Sequence, residues 1–210
     1  PPVRELSMGN CPSRFMASQP GKAAARPEGP PPSPSSLKGR DQVLYSFLRG
    51  EKPDDCEGRM LDDILRWDDR TMEAVHDYVQ WIFPTDEASM FNSAAPLLSP
   101  ELQAICRHDE KIQDNFDRIL ERFLSFLGLQ MEGKKITKAK HFDSRRVDCW
   151  SSFMGMNHNW LRISRVLHCL GMIGKKEEQQ ALMKFLESMP REVPEVARSM
   201  PHWRQRAAAG

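Results

Sequence analysis

After residue 40, apolar residues recur along this chain at spacings of three and four, with polar positions between them, and nowhere alternate over a useful length. That is the period of helices lying on a core, so the pattern predicts an all-α fold, a single compact domain of about six or seven helices. Its densest apolar stretch is residues 77–84, Asp-Tyr-Val-Gln-Trp-Ile-Phe-Pro. Upstream, Met72, Val75, Val79 and Ile82 form one helical stripe, and Asp68 or Asp69 is placed to cap it. One helix is therefore predicted from that cap to Phe83, stopped by Pro84, with Trp81 driven into the core.

The rest of the chain is organised around that helix. Val43, Leu44, Phe47 and Leu48 make a short helix between an Asp41 cap and Gly50, and Met60, Leu61, Ile64 and Leu65 make a second. Residues 84–99 read as a loop with Phe91, Leu97 and Leu98 tucked beneath it. Ser99-Pro100-Glu101 starts the longest helix, which runs to Gly128 with a bend expected at His108-Asp109, where the apolar stripe is interrupted. Lys134, Lys135, Lys138, Lys140, Arg145 and Arg146 read as a solvated loop facing the acidic residues upstream. Phe142, Val147, Trp150, Phe153 and Met154 then suit a helix ending at Gly155. Leu161, Ile163, Val166, Leu167 and Leu170 predict a helix buried on most sides, whose Arg162 and Arg165 need partners. A last amphipathic helix, from Glu178 to Met189, stops at Pro190.

Residues 1–40 hold nine of the sixteen prolines and almost no spaced apolar residues, the composition of a disordered Pro-rich leader. The expected division is a leader over 1–40, a helical domain over 41–190 and a loosely docked tail over 191–210. The run from Pro30 to Pro34 can dock on an SH3 or WW domain as a polyproline helix, with a plain linker as the simpler reading.

Charge and candidate chemistry narrow the function. A net charge of +1 gives no general pull toward nucleic acid, and the basic stretch carries only Phe142 as an interleaved aromatic, so no nucleic-acid partner is expected. No window reaches the ~18–20 apolar residues of a transmembrane segment. Five scattered cysteines read as free thiols of a reducing, intracellular compartment. The eight carboxylates from Asp54 to Glu73 read as a solvated face rather than a cation site. His141, Cys149, His158, His168 and Cys169 lack the paired spacing of a zinc site, so neither a metal nor a cofactor is expected. Cys106 or Cys149 with His158 supplies residue types for a cysteine hydrolase without a local signature, and no P-loop, GxGxxG or GxSxG occurs; the chain is not expected to be an enzyme.

Two motifs carry a resemblance. Tyr-Val-Gln-Trp-Ile-Phe-Pro at 78–84, followed by an acidic turn, Phe91-Asn92 and Ala95-Pro96-Leu97, resembles the opening of the opioid growth factor receptor conserved domain. Asn157-His158-Asn159-Trp160-Leu161-Arg162-Ile163-Ser164-Arg165-Val166-Leu167 is similar to that family's second block. The resemblance extends over roughly residues 43–187. It implies an intracellular, non-catalytic helical receptor, peripherally associated with membranes of the nuclear region, for a short enkephalin-type peptide, with growth regulation as the outcome. The ligand-binding candidates are Tyr78, Gln80, Trp81, Asn157, His158, Asn159 and Arg162. The two motifs are expected to form one unit, with Tyr78, Trp81 and Phe83 on Leu161, Val166 and Leu167 and the polar residues at its rim. The Asx side chains would then cap a helix and orient Arg162, or the group would receive a peptide. An enzyme of unassigned class working around His158 and Arg162 is the alternative reading, and a generic interaction scaffold another.

Overall fold

The computed structural model describes residues 32–54, 56–89, 92–152 and 157–209. They carry ten α-helices and one small hairpin, so the all-α expectation holds for all but eight strand residues. The helices outnumber the six or seven expected because two predicted helices are each broken in two and a further helix forms beyond residue 190. Most of the expected leader, with Pro30 and Pro31 of the polyproline run, lies outside the described residues. Order is nevertheless present before residue 41: Pro34–Ser36 forms a 3-10 turn, Leu37 is buried, and α1 (Gly39–Leu48) opens on Gly39 without a side-chain cap. Asp41 is thus not the cap; its carboxylate accepts from the Ser99 hydroxyl at 2.6 Å instead.

After α2 (Leu61–Arg66), Asp68 caps α3 (Asp69–Ala74) as expected, accepting from the Thr71 amide at 2.7 Å. The predicted single helix to Phe83 then fails. Val75 turns extended, and α4 (Tyr78–Ile82) starts afresh. Carbonyls at the end of a helix need partners, and here those of Met72 and Val75 both accept from Arg162, at 2.9 Å each. A guanidinium 90 residues away holds the break open, which no local pattern encodes.

The second break falls where the bend was expected. Ser99 caps α5 (Pro100–Cys106), and Asp109 caps a new helix, α6 (Glu110–Phe126), by accepting from the Ile112 amide at 3.1 Å. The same Asp109 carboxylate receives the Tyr45 hydroxyl at 2.9 Å and the Arg49 guanidinium at 2.6 Å, tying α1 to the start of α6.

The basic stretch is a hairpin rather than a loop. β1 (Leu129–Glu132) pairs antiparallel with β2 (Lys135–Lys138), Leu129 opposite Lys138 and Glu132 opposite Lys135, around a two-residue turn. Gly128 enters it at φ +75°, and a Cβ there would sit 2.7 Å from the Phe142 backbone, so only glycine fits. The helix expected from Phe142 to Gly155 is α7 (Phe142–Arg145) and a wider, π-type turn over Arg146–Trp150. Trp150 is buried there, whereas Val147, expected on the buried face, is 74% exposed. Phe153, Met154 and Gly155 lie outside the described residues, as does Phe91. Of the other two residues expected beneath the loop, Leu98 is buried and Leu97 is not.

α8 (His158–Met172) crosses the middle of the fold, and α9 (Lys176–Ser188) runs until Pro190 as expected. The domain continues past residue 190, however. Val193 and Val196 are buried, and α10 (Met200–Ala208) packs on α8 and α9. Trp203 is fully buried, with its indole N–H donating to the Trp160 carbonyl at 3.1 Å, so residues 191–209 are anchored in the core through four buried side chains and are not a loose tail.

One contiguous apolar cluster joins all of these elements. Trp81 is 1% exposed and meets Phe47 edge-on at 5.3 Å between ring centroids. Trp81→Ala should therefore destabilise the fold by about 3–5 kcal/mol, the usual loss for a deleted core indole. Chemical denaturation reads this directly; an unchanged midpoint would show that the ring contributes little.

Candidate functional site

The two sequence motifs meet. Arg162 of α8 lies over the Tyr78 ring at 5.6 Å, and Arg165 donates to the Phe83 carbonyl at 3.1 Å. Val166, Leu167, Tyr78, Trp81 and Phe83 share the core, but Leu161 does not join them: it is 56% exposed, on the opposite side of α8 from Ile163 and Val166.

The polar group at the start of α8 is a closed network. Asn157 caps the helix through the Asn159 amide at 2.8 Å and donates to the carbonyls of Asp148 and Ser151 at 2.8 and 2.7 Å. The buried Asn159 donates to Glu73 at 3.0 Å and accepts from Arg162 at 3.0 Å. Arg162 is thereby held by Asn159 and two backbone carbonyls. His158 contacts Glu73 through Nε2 at 2.8 Å and lies 5.2 Å, centroid to centroid, from the His76 ring. Gln80 stays apart from this group; with its amide oxygen and nitrogen exchanged, the orientation that satisfies both, the nitrogen donates to the His76 and Asp77 carbonyls at 3.3 and 2.6 Å. Of the seven candidate residues, Tyr78, Trp81, Asn159 and Arg162 are buried, Gln80 and Asn157 are half-buried, and His158 is exposed.

Three members of the network were not singled out from the sequence. Glu73 ties His158 and Asn159 to α3; Arg145 reaches Asp148 at 2.8 Å, Asp69 at 3.6 Å and Glu73 at 3.9 Å; and Asp148 supplies a carbonyl as well as its carboxylate. The one available signal was charge: a basic stretch facing the acidic one does hold for Arg145, while Lys134 and Lys138 pair instead with Glu177 at 2.7 Å and with Glu192.

Burial suppresses three of the cysteine thiols as nucleophiles. The Cys106 and Cys149 thiols are each pushed up to about 12, and Cys169 is raised as well, in all three cases mainly by desolvation. Arg145 beside Cys149, at 3.4 Å from its sulfur, pulls the other way without overcoming burial. The five residues weighed as zinc ligands are dispersed: His141 binds the Ser125 carbonyl at 2.8 Å, Cys149 faces Arg145, His158 faces Glu73, His168 faces Asp86 at 3.4 Å, and Cys169 is buried in the core. Among the described residues the ligand atoms of Asp86, Glu87 and His168 do lie within 4.8 Å of one another. Arg206 already supplies the cation there, 2.5 Å from Glu87 and 3.4 Å from Nδ1 of His168. A guanidinium donating to Nδ1 fixes the tautomer with its proton on Nε2, the wrong one for a metal at that nitrogen.

Burial holds both His158 and His168 below the ordinary histidine range, outweighing Glu73 and Asp86. A depressed histidine takes up fewer protons folded than unfolded. The stability it contributes is therefore complete above its unfolded value, near ~6.5, and falls as the pH drops through the interval between that and the folded value. The melting temperature should be lower at pH 5.5 than at pH 7.5, and His168→Gln should flatten that slope. An acid-side rise in melting temperature would contradict the neutral assignment.

The large concavity lies elsewhere. A cleft of about 930 Å³ opens between α6, the hairpin and α9, with Leu120, Leu124, Leu129, Met131 and Ala181 along its floor and charged residues of both signs at its lips. None of the seven candidate residues lines it. Among the described residues, no helix is long and apolar enough to cross a membrane.

A family model described as the opioid growth factor receptor (OGFr) conserved region matches residues 38–207. The chain belongs to this family. Its match reaches from the lysine before α1 to α10, in agreement with the packing and beyond the boundary at 190 expected from the sequence. Human opioid growth factor receptor is 32% identical over 168 residues, covering 76% of this chain and 24% of the relative. The mouse receptor is 30% identical over 151 residues, covering 69% and 23%, and the Xenopus tropicalis opioid growth factor receptor-like protein 1 is 31% identical over 174 residues, covering 80% and 32%. The chain thus spans about a quarter to a third of the length of these relatives. No solved structure matches it.

Proposed function

We propose that this chain is a non-catalytic binding module with opioid growth factor receptor activity, taking a short enkephalin-type peptide. The observation that carries the reading is the large open cleft, whose floor is apolar and whose lips bear both signs of charge, a lining suited to a peptide with charged ends and apolar side chains. Two features agree with it. The polar residues that join the signature motifs spend their donors on the fold itself, and the buried thiols are poor nucleophiles. In this reading Tyr78, Gln80, Trp81, Asn157, Asn159 and Arg162 support the ligand face from within, and His158 is the candidate that a ligand can reach. The module acts inside the cell, with peripheral membrane attachment as the resemblance implies.

An acid–base enzyme working at His158 and Glu73 is the second reading, favoured by their 2.8 Å contact and the exposure of the imidazole. Isothermal titration with Tyr-Gly-Gly-Phe-Met separates the two. Saturable binding that leaves the peptide intact supports the receptor reading, whereas turnover of the peptide that is lost in His158→Ala supports the enzyme. Absence of binding would remove the receptor reading.

A further inference from the structure

The hairpin wall of the cleft has a free edge. In an antiparallel pair, opposed residues alternate between those that exchange ladder hydrogen bonds and those whose main-chain groups point away. The Ala139 amide donates to the Gly128 carbonyl at 2.9 Å, so the bonded pairs continue through Gln130–Thr137 and Glu132–Lys135. The N–H and C=O of Leu129 and Met131 therefore point outward from β1. No strand lies beyond them, since the sheet has two strands among the described residues, and neither residue makes a main-chain bond to any other element there.

That edge borders the cleft. Leu129, Gln130 and Met131 all line it, and consecutive strand residues, whose side chains alternate between faces, share one cavity where it meets the strand edge. The surroundings complete a peptide-sized slot. Leu120 and Leu124 of α6 and Ala181 of α9 supply apolar surface, and Met131 is half-buried and adaptable. Most lip charges are already paired: Lys134 with Glu177, Lys138 with Glu192, and Asp117 with Lys175. Glu121, Glu178 and Lys140 also line the cleft, and none of them makes an ion pair among the described residues, which leaves charges of both signs open to a ligand.

We propose that a short, extended, zwitterionic peptide binds here as a third strand on the outer edge of β1. Its backbone takes up the free groups of Met131, its amine faces Glu121, and its carboxylate faces Lys140. Strand addition suits such a ligand because main-chain bonds supply affinity without requiring a particular sequence, while pockets beside the edge select alternate side chains. β1 has four residues, about 13 Å at ~3.3 Å per residue, the reach of a tetra- or pentapeptide. The assignment rests on the peptide-binding reading above and adds the place and manner of binding.

The test uses the chain as it stands and the pentapeptide Tyr-Gly-Gly-Phe-Met. Met131→Pro removes the outward N–H but no ladder bond, a position where an edge strand tolerates proline; Met131→Leu keeps the N–H and the apolar bulk. Met131→Pro should weaken binding by about tenfold or more, Met131→Leu by about twofold at most, and Glu121→Lys should weaken it with them. Acetylating the peptide amine should mimic Glu121→Lys. In wild type, hydrogen exchange should show the Met131 amide protected on peptide addition, a readout that does not depend on the proline variant folding. Binding that is indifferent to all of these changes, with Met131 still exchanging freely, overturns the strand-addition site while leaving the receptor reading in place. A wild-type chain that binds no peptide overturns both.

Discussion

Arg162→Ala should destabilise the domain by about 3–5 kcal/mol, although no apolar core residue is touched. Arg162 is 6% exposed and bridges three acceptors: the Met72 and Val75 carbonyls, which end α3, and the side chain of Asn159. Removing the guanidinium leaves those acceptors buried without donors, and each orphaned group costs ~1–3 kcal/mol. The cationic stacking on Tyr78 and Phe126, at 5.6 and 5.8 Å, is lost as well. Arg162→Lys is the informative companion. A lysine keeps the charge but has no planar fork to reach two backbone carbonyls and an amide together, so it should recover less than half of the loss. Urea unfolding, with the slope checked for constancy, measures both variants. An alanine variant with the wild-type midpoint would mean that water replaces the guanidinium freely, and the break between α3 and α4 would need another explanation.

The same residue shows where the sequence was legible and where it was not. Periodicity located nearly every apolar face, and local chemistry identified the Ser99 and Asp68 caps, because both depend on residues within one turn of each other. The two broken helices depend on distant partners. Nothing near Val75 says that Arg162 will take its carbonyl, and nothing near Asp109 says that Tyr45 and Arg49 will converge on it. Leu161 and Val147 were misplaced for a different reason: an apolar residue beside buried ones in sequence need not share their face, and Leu161 points to the opposite side of α8 while Val147 stands exposed in the π-type turn. The hairpin was missed because its alternation is short, four residues a strand, and lysines flank Ile136, the one buried residue of β2. For the candidate site, the motifs pointed to residues that, Gln80 apart, do come together. They did not reveal that most of those residues are occupied with one another, since saturation of donors is a property of the assembled network.

Removing residues 191–210 should unfold the domain. The sequence there has two prolines and few apolar residues, which reads as a tail, yet each large apolar residue is used: Val193, Val196, Met200 and Trp203 are all buried. Trp203 alone accounts for a large effect. Its ring is fully buried and its N–H satisfies the Trp160 carbonyl, so Trp203→Ala should cost about 3–5 kcal/mol through cavity and hydrogen bond together. Truncation after Pro190 also strips α10 from α8 and α9 and breaks the ion pairs of Arg206 with Glu87 and Arg204 with Glu187. Those surface pairs add little; the exposed apolar face of α8 dominates. A domain of this size has a net stability of only ~5–15 kcal/mol, so the truncated chain should lose its cooperative melting transition and its near-ultraviolet circular dichroism while keeping much of its helical signal. Trp203→Phe, which retains the apolar ring and loses only the N–H, should melt cooperatively and lie between wild type and Trp203→Ala. A truncated chain that melts like wild type would return residues 191–210 to the status of a tail.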